Sequence, residues 1–465
     1  MVYNFYCQIK EMGFEERFDK LCRPYQHNPL SLEWLPPVGW TVIISDLANF
    51  RFMTQHTDIF QKVILSDIVP HGLPNMFFGK NILFSNDNDW RFFRRTCTPA
   101  FKHGWDLGVF EVTSQRLVDQ WSKLESKDIP LGPWFARFAL DGFGLSIFTT
   151  DFGSILDEKS HFSMLYRKII HDILDFRYLL FNKLDSRWNP HRRPVYERVD
   201  EFDEYIYGLI QGRREAKDRG EPLPKDLLTS FLDEHKSVDE DGEKITRVMT
   251  DKELRDNLCT FILAGHDTTM VSLSTSMYCL GMDLGMQERA REAVKKATKA
   301  SGDTEALMHV PYLDAVIRES LRLYPPAAHL MERRVTQDVV MPTGEFIPKG
   351  AFVTGHTWAL HRDPAVWGED AEEYRPERHL ITDEEGNQTL NSCGAQLMAF
   401  SYGPRTCMGM NFAMAEMRVV LSRLLQAFIW TSIPNENRGP SFETAYLLAP
   451  RNMSIRVTRR KECLG

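Results

Sequence analysis

The stretch FSYGPRTCMGMNFAMAEM, residues 400–417, decides how the rest of the chain is read. In it a lone cysteine, Cys407, stands where an irregular loop meets the start of a helical pattern. Backbone N–H groups and the positive end of a helix dipole favour a thiolate at such a place. Gly403 and Gly409 permit tight backbone geometry and the close approach of a flat ligand. Arg405 supplies a fixed positive charge able to pair with a carboxylate, and Phe400 can shield the sulfur from water. An isolated cysteine is by default a small core residue. Phe400, Gly403, Arg405, Cys407 and Gly409 together point past that default.

The other cysteines argue the same way by contrast. Cys7, Cys22, Cys97, Cys259, Cys279, Cys393 and Cys463 are irregularly spaced and form no C-x-x-C pair. That excludes a zinc-type ligand set and a disulfide framework and leaves reduced thiols. The formal net charge of -8 argues against a nucleic-acid partner, which wants a basic footprint. With 465 residues, 43% of them hydrophobic, the chain can bury a core that encloses both a cofactor and a substrate pocket. The N-terminus, MVYNFYCQIKEMGFEERFDK, is broken by Glu11, Glu15 and Glu16, so it reads as neither signal peptide nor membrane anchor. Residues 257–282 carry Asp267 as their only formal charge. Their Ser, Thr and His266 content makes them a buried helix rather than a bilayer span.

F-x-x-G-x-R-x-C-x-G resembles the haem-binding signature of the cytochromes P450, and further motifs of that family follow in order. The resemblance, from about Trp40 to the end, implies a mainly α cytochrome P450 fold, a large helical domain with a smaller β-rich part. It implies heme b (iron protoporphyrin IX), with Cys407 as the metal ligand that pushes electron density toward O–O cleavage. AGHDTT, residues 264–269, resembles the family's oxygen-activation motif: Ala264 and Gly265 leave room for dioxygen, and Asp267 and Thr268 place an acid and a hydroxyl beside that gap. A threonine hydroxyl bonded back to the carbonyl one turn earlier is the structural alternative. Trp90 and Arg94 match the family's W-x-x-x-R pair against a haem propionate. Arg333 is a further propionate candidate, with Arg334 beside it. Glu319 and Arg322 form E-x-x-R, and YRPERHL adds Arg378 as third member of a buried ion cluster, a structural lock on the cysteine loop. His361 falls in the family's meander and reads as structural.

The expected organisation is one unit in three parts: a mixed β-rich part at 1–87, a helical part at 88–334, and a last part at 335–465 with short strands, the cysteine loop and a final helix over about 408–428. GWTVIISDLANF reads as a strand and then a helix, Pro99 as a helix end or kink, and Thr250 with Glu253 as a capping box. DEDGEK, residues 239–244, is a solvated loop.

The function implied is monooxygenation of an apolar organic molecule by O2, with electrons from a separate NADPH-cytochrome P450 reductase-like protein or ferredoxin. The rivals are a reductase-independent isomerase or peroxygenase and a non-catalytic haem sensor. Family members sit on the cytosolic face of the endoplasmic reticulum membrane behind an anchor helix not found here. A cytoplasmic place with peripheral membrane contact is the alternative, and the chain is a soluble member, a trimmed one or an incomplete gene model. Phe77, Phe78, Leu179, Leu180 and Phe181 fall in segments that line the family's substrate pocket, and equally suit an ordinary core.

Overall fold

A computed structural model describes residues 13–460, apart from 26–27, 36, 104, 234, 239–243, 302–303, 436–438 and 444–446. The first twelve residues and most of the charged loop at 239–244 lie outside the described residues.

Helices dominate, as a haem-enclosing fold of the expected class requires. In chain order the elements that build the site are α1 (Phe14–Leu21), β1 (Leu30–Leu35), β2 (Gly39–Ile44), α2 (Leu47–Gln55), β3 (Phe60–Lys62), α3 (Leu73–Phe78), α4 (Asp87–His103), α5 (Leu131–Phe148), α6 (His161–Ile173), α7 (Arg193–Asp218), α8 (Asp251–Met282), α9 (Pro311–Leu323), β4 (Arg333–Val335), β5 (Phe352–Gly355) and α10 (Met410–Ala427).

Local chemistry sets several of their ends. Asp46 caps α2 by accepting from Asn49 N–H. α8 opens on a complete capping box, in which Thr250 accepts from Glu253 N–H and the Glu253 side chain returns to the backbone of Thr250. Pro311 starts α9 at a position where its missing N–H costs nothing. The expectation at Pro99 is corrected: α4 runs on through it to His103. Pro99 is exposed on the surface of the helix.

α8 is 32 residues long and buried through most of its length. Its apolar and small side chains pack closely on α5, and at Gly265 a Cβ would stand 2.7 Å from the Phe143 ring. The largest sheet has the order β1-β2-β5-β4-β3, so strands from both ends of the chain pair in it. β5 runs parallel to β2, while β4 is antiparallel to both β5 and β3. A second apolar core, including Ile44, Phe50, Phe60, Val335 and Val353, fills the space beneath this sheet. Among the described residues no helix is long and apolar enough to cross a membrane.

Candidate active site

The cysteine loop closes on itself. Cys407 N–H donates to the Phe400 carbonyl at 2.9 Å, and Thr406 N–H to the Gly403 carbonyl at 3.0 Å. Gly403 has φ +74°, and a Cβ there would lie 2.8 Å from the Thr54 carbonyl oxygen of α2. Packing against α2 therefore demands a glycine there. Gly409 does face the sulfur: a Cβ on it would sit 3.9 Å from Cys407 Sγ.

Cys407 lies on the wall of a cavity of about 1010 Å³, which Trp90, Arg94, Ala264, Gly265, Thr268, Arg333, Phe400, Arg405 and Gly409 also line. Burial raises the Cys407 thiol pKa, while the Gly409 N–H and Arg94 pull the other way and lose. The backbone effect expected from sequence is thus present at the Gly409 N–H, and Arg94 adds to it, but together they are outweighed by burial. A bound metal cation removes the proton outright.

Positive charge converges on the same cavity. Arg94 Nη1 donates to the Thr406 carbonyl at 2.8 Å. Arg405 Nη2 donates to the Ser85 carbonyl at 2.7 Å and to Asn86 Oδ1 at 3.0 Å, and the guanidinium lies 4.4 Å from the Trp90 ring centroid. Its Nε and Nη1 are buried without a partner, as is Nε of Arg333. Arg333 is 1% exposed whereas Arg334 is exposed, which resolves the choice between them. Burial lowers the pKa of Arg94, Arg333 and Arg405, and among the described residues no carboxylate pairs with any of the three. Orphaned guanidinium donors around a thiol fit a flat cofactor whose edge bears carboxylates, as haem does.

The oxygen-activation residues divide. Thr268 is on the cavity wall and donates to the Ala264 carbonyl at 2.6 Å, the back-bonded arrangement weighed above. Asp267 is not on that wall: His266 Nδ1 lies 2.5 Å from its carboxylate, and the His266 ring meets Tyr166 of α6 edge-on. Gly265 lines the cavity, but its lack of a side chain is also demanded by Phe143. Beneath the wall lies a group not singled out from sequence, Glu416 of α10. It is 1% exposed, accepts from Thr269 at 3.3 Å, and burial pushes its pKa up to about 8. Its only sequence signal is a carboxylate inside the apolar run AMAEM. Of the pocket residues named from sequence, Leu179 lines the cavity. Phe77 and Phe78 belong to the core, and Phe181 is 63% exposed.

The ion cluster assembles around Glu319. Arg322 contributes Nε and Nη2 at 2.8 and 2.9 Å, and Arg378 its Nε at 2.9 Å. His379 Nε2 at 2.9 Å is a member that sequence reasoning missed. Burial alone would raise the Glu319 pKa, but the bonds from Arg322 and His379 outweigh it and hold the carboxyl at about 2. Arg322 also bonds the carbonyls of His361, Ala371 and Glu373. His361 in turn spans Arg322 O at 2.9 Å and Met398 N–H at 2.8 Å, just ahead of the cysteine loop. The cluster is therefore tied by hydrogen bonds to the segment that delivers Cys407.

Known proteins are similar to this chain in sequence. The Cytochrome P450 family model matches residues 5–457. Cytochrome P450 3A27 of Oncorhynchus mykiss is 29% identical over 395 residues, covering 81% of this chain and 74% of the relative. Human cytochrome P450 4F2 is 32% identical over 427 residues, covering 84% and 78%. Echinocystic acid 23-monooxygenase of Saponaria officinalis is 30% identical over 374 residues, covering 77% and 70%. The match runs nearly from end to end, so the chain belongs to the cytochrome P450 family and is a haem-thiolate oxidoreductase.

Proposed function

We propose that this enzyme inserts one atom of O2 into an apolar organic substrate, with Cys407 as the axial ligand of heme b and electrons drawn from a separate NAD(P)H-dependent reductase. The observation that carries the reading is a single cavity holding a thiol, a threonine hydroxyl and unpaired arginines. When bound, the haem supplies the binding and activation of O2. Arg94, Arg333 and Arg405, with Trp90, hold its carboxylates. Phe101, Phe261 and Leu263 form an apolar wall that excludes water and suits an apolar ligand. Turned away from the Ala264 carbonyl, the Thr268 hydroxyl donates into the cavity. Asp267, turned from His266 and carrying a proton taken up from solvent, would pass that proton to the hydroxyl.

Turnover with NADPH, a reductase and 18O2 tests this. One labelled oxygen per product supports it. Product formed without a reductase, or free of label, favours the isomerase or peroxygenase reading, and no product with any reductase favours a sensor. Thr268→Ala should keep consuming NADPH but divert it to hydrogen peroxide, cutting product per NADPH by about tenfold or more. Unchanged coupling would make the hydroxyl purely structural.

The electron donor is proposed to dock on the exposed face of α4. Arg91, Arg95 and Lys102 line a shallow groove there, together with Trp90 and Arg94, which also line the cavity that holds Cys407. On an acidic protein this basic face would steer an acidic partner. Arg91→Glu with Arg95→Glu should slow reductase-driven turnover about tenfold at low salt and spare peroxide-driven turnover. Equal loss in both assays would point to damage at the haem site instead. Resemblance to the family supports the cytosolic face of the endoplasmic reticulum membrane, with peripheral contact, as the enzyme's place; the cytoplasm is the alternative.

A further inference from the structure

No motif in the sequence announces Lys62. It ends β3 directly opposite Arg333 of β4 in the antiparallel register, and the two residues are only 9% and 1% exposed. Like charges facing each other across strands destabilise a sheet, and lysine is almost never buried unpaired. The hydrogen bond of its ammonium goes to the Met331 carbonyl at a long 3.4 Å, which leaves donors to spare. Burial first, and then the charges of Arg333 and Arg405, depress the Lys62 pKa well below its usual value; Glu332 opposes them. Among the described residues Glu332 forms no ion pair with it, and burial raises the Glu332 pKa in turn.

The position of the lysine is tied to the cysteine loop. Asn86 Oδ1 accepts from both Lys62 N–H at 2.9 Å and Arg405 Nη2 at 3.0 Å, while Asn86 Nδ2 donates to the Lys62 carbonyl at 2.9 Å. Lys62, Arg333 and Arg405 all line the cavity that contains Cys407. Lys62, Arg333 and Arg405 keep donors open, and among the described residues none of them forms an ion pair with a carboxylate, Glu332 on the same wall included, so their charge calls for an anion from outside the chain.

We propose that Lys62 is a further cofactor-binding residue, whose ammonium grips a carboxylate of the haem together with Arg333 and Arg405. The inference rests on the haem-thiolate reading of this cavity. Holoproteins of the wild type, Lys62→Met and Lys62→Arg are mixed with excess apomyoglobin, haem transfer is followed in the Soret region, and the reduction potential of the bound haem is measured. Lys62→Met should lose haem about tenfold faster or more, because a charged hydrogen bond is gone. Its potential should shift negative, since a nearby positive charge favours the reduced iron. Lys62→Arg should stay close to the wild type on both readouts.

A Lys62→Met protein with wild-type transfer rate and potential overturns the proposal, and its red-shifted carbon-monoxide band would leave the haem-thiolate reading standing. A wild type without that band sinks both. Removing one of several like charges relieves repulsion, so the variant should fold; if it does not, Lys62→Gln is measured in its place. Failure of both variants to fold overturns the proposal, because Lys62 would then be holding the protein rather than the cofactor.

Discussion

Cys407→Ser abolishes the red-shifted Soret band of the reduced carbon-monoxide complex, and with it reductase-driven turnover. The band requires a thiolate on the iron, and a serine hydroxyl does not supply that electron density. The geometry leaves little competition. Cys97, Cys259 and Cys279 are buried in the protein interior and do not line the cavity that holds Cys407. Among the described residues Cys22 is the one rival that shares the cavity wall. Burial pushes its pKa up to about 12, and its charged neighbours are Glu33 and Arg17 rather than the arginines around Cys407. The measurement is the reduced carbon-monoxide difference spectrum, normalised to haem content. A Cys407→Ser protein that kept the band would transfer the ligand role to another cysteine, Cys22 first.

Glu319→Ala gives haem-free or insoluble protein. The carboxylate receives Arg322, Arg378 and His379 at once in a fully buried place, so its removal strands the buried Arg322 without a counter-charge, while Arg378 keeps Asp370. That costs roughly 3–5 kcal/mol, a large share of a typical stability of about 5–15 kcal/mol. Linkage gives the same scale. A carboxyl held at about 2 in the fold, against an ordinary 4.5, contributes on the order of 3 kcal/mol. Because the folded pKa is depressed, this contribution is complete above pH 4.5 and is lost as pH falls toward 2. The wild type should therefore lose stability over that acid window, and Arg322→Ala should share the severe phenotype of Glu319→Ala. The measurement is soluble yield and haem occupancy, with acid unfolding followed by the Soret band. A soluble Glu319→Ala protein with full haem occupancy would reduce the cluster to an ordinary ion pair.

Much of the site was legible because its determinants are local. The cysteine loop is a run of adjacent residues, and the capping box at Thr250 and Glu253 and the pairing of Glu319 with Arg322 both need a separation of only three. Where the partner is distant in the chain, the same reasoning falls short. It ascribed Gly265 to dioxygen, whereas Phe143 of another helix also forbids a side chain there. Asp267 bonds its neighbour His266 and does not itself line the cavity, an orientation that spacing alone does not set. Neither His379 nor Glu416 carries a pattern that separates it from surrounding residues, so both emerged only once helices and loops were packed.

By itself, the sequence determined the kind of chemistry: a thiol at a loop–helix junction, an arginine two residues before it, and an ion-pairing helix upstream. Those features depend on residue type and short spacing, which the covalent chain carries directly. The tertiary structure alone decided which cations face the haem cavity. Arg333 is inward and Arg334 outward because side chains alternate along β4. Lys62 joins Arg333 because the register of β3 against β4 sets them opposite each other. Register is the outcome of burying one face of a sheet built from both ends of the chain, and no short stretch of residues contains it.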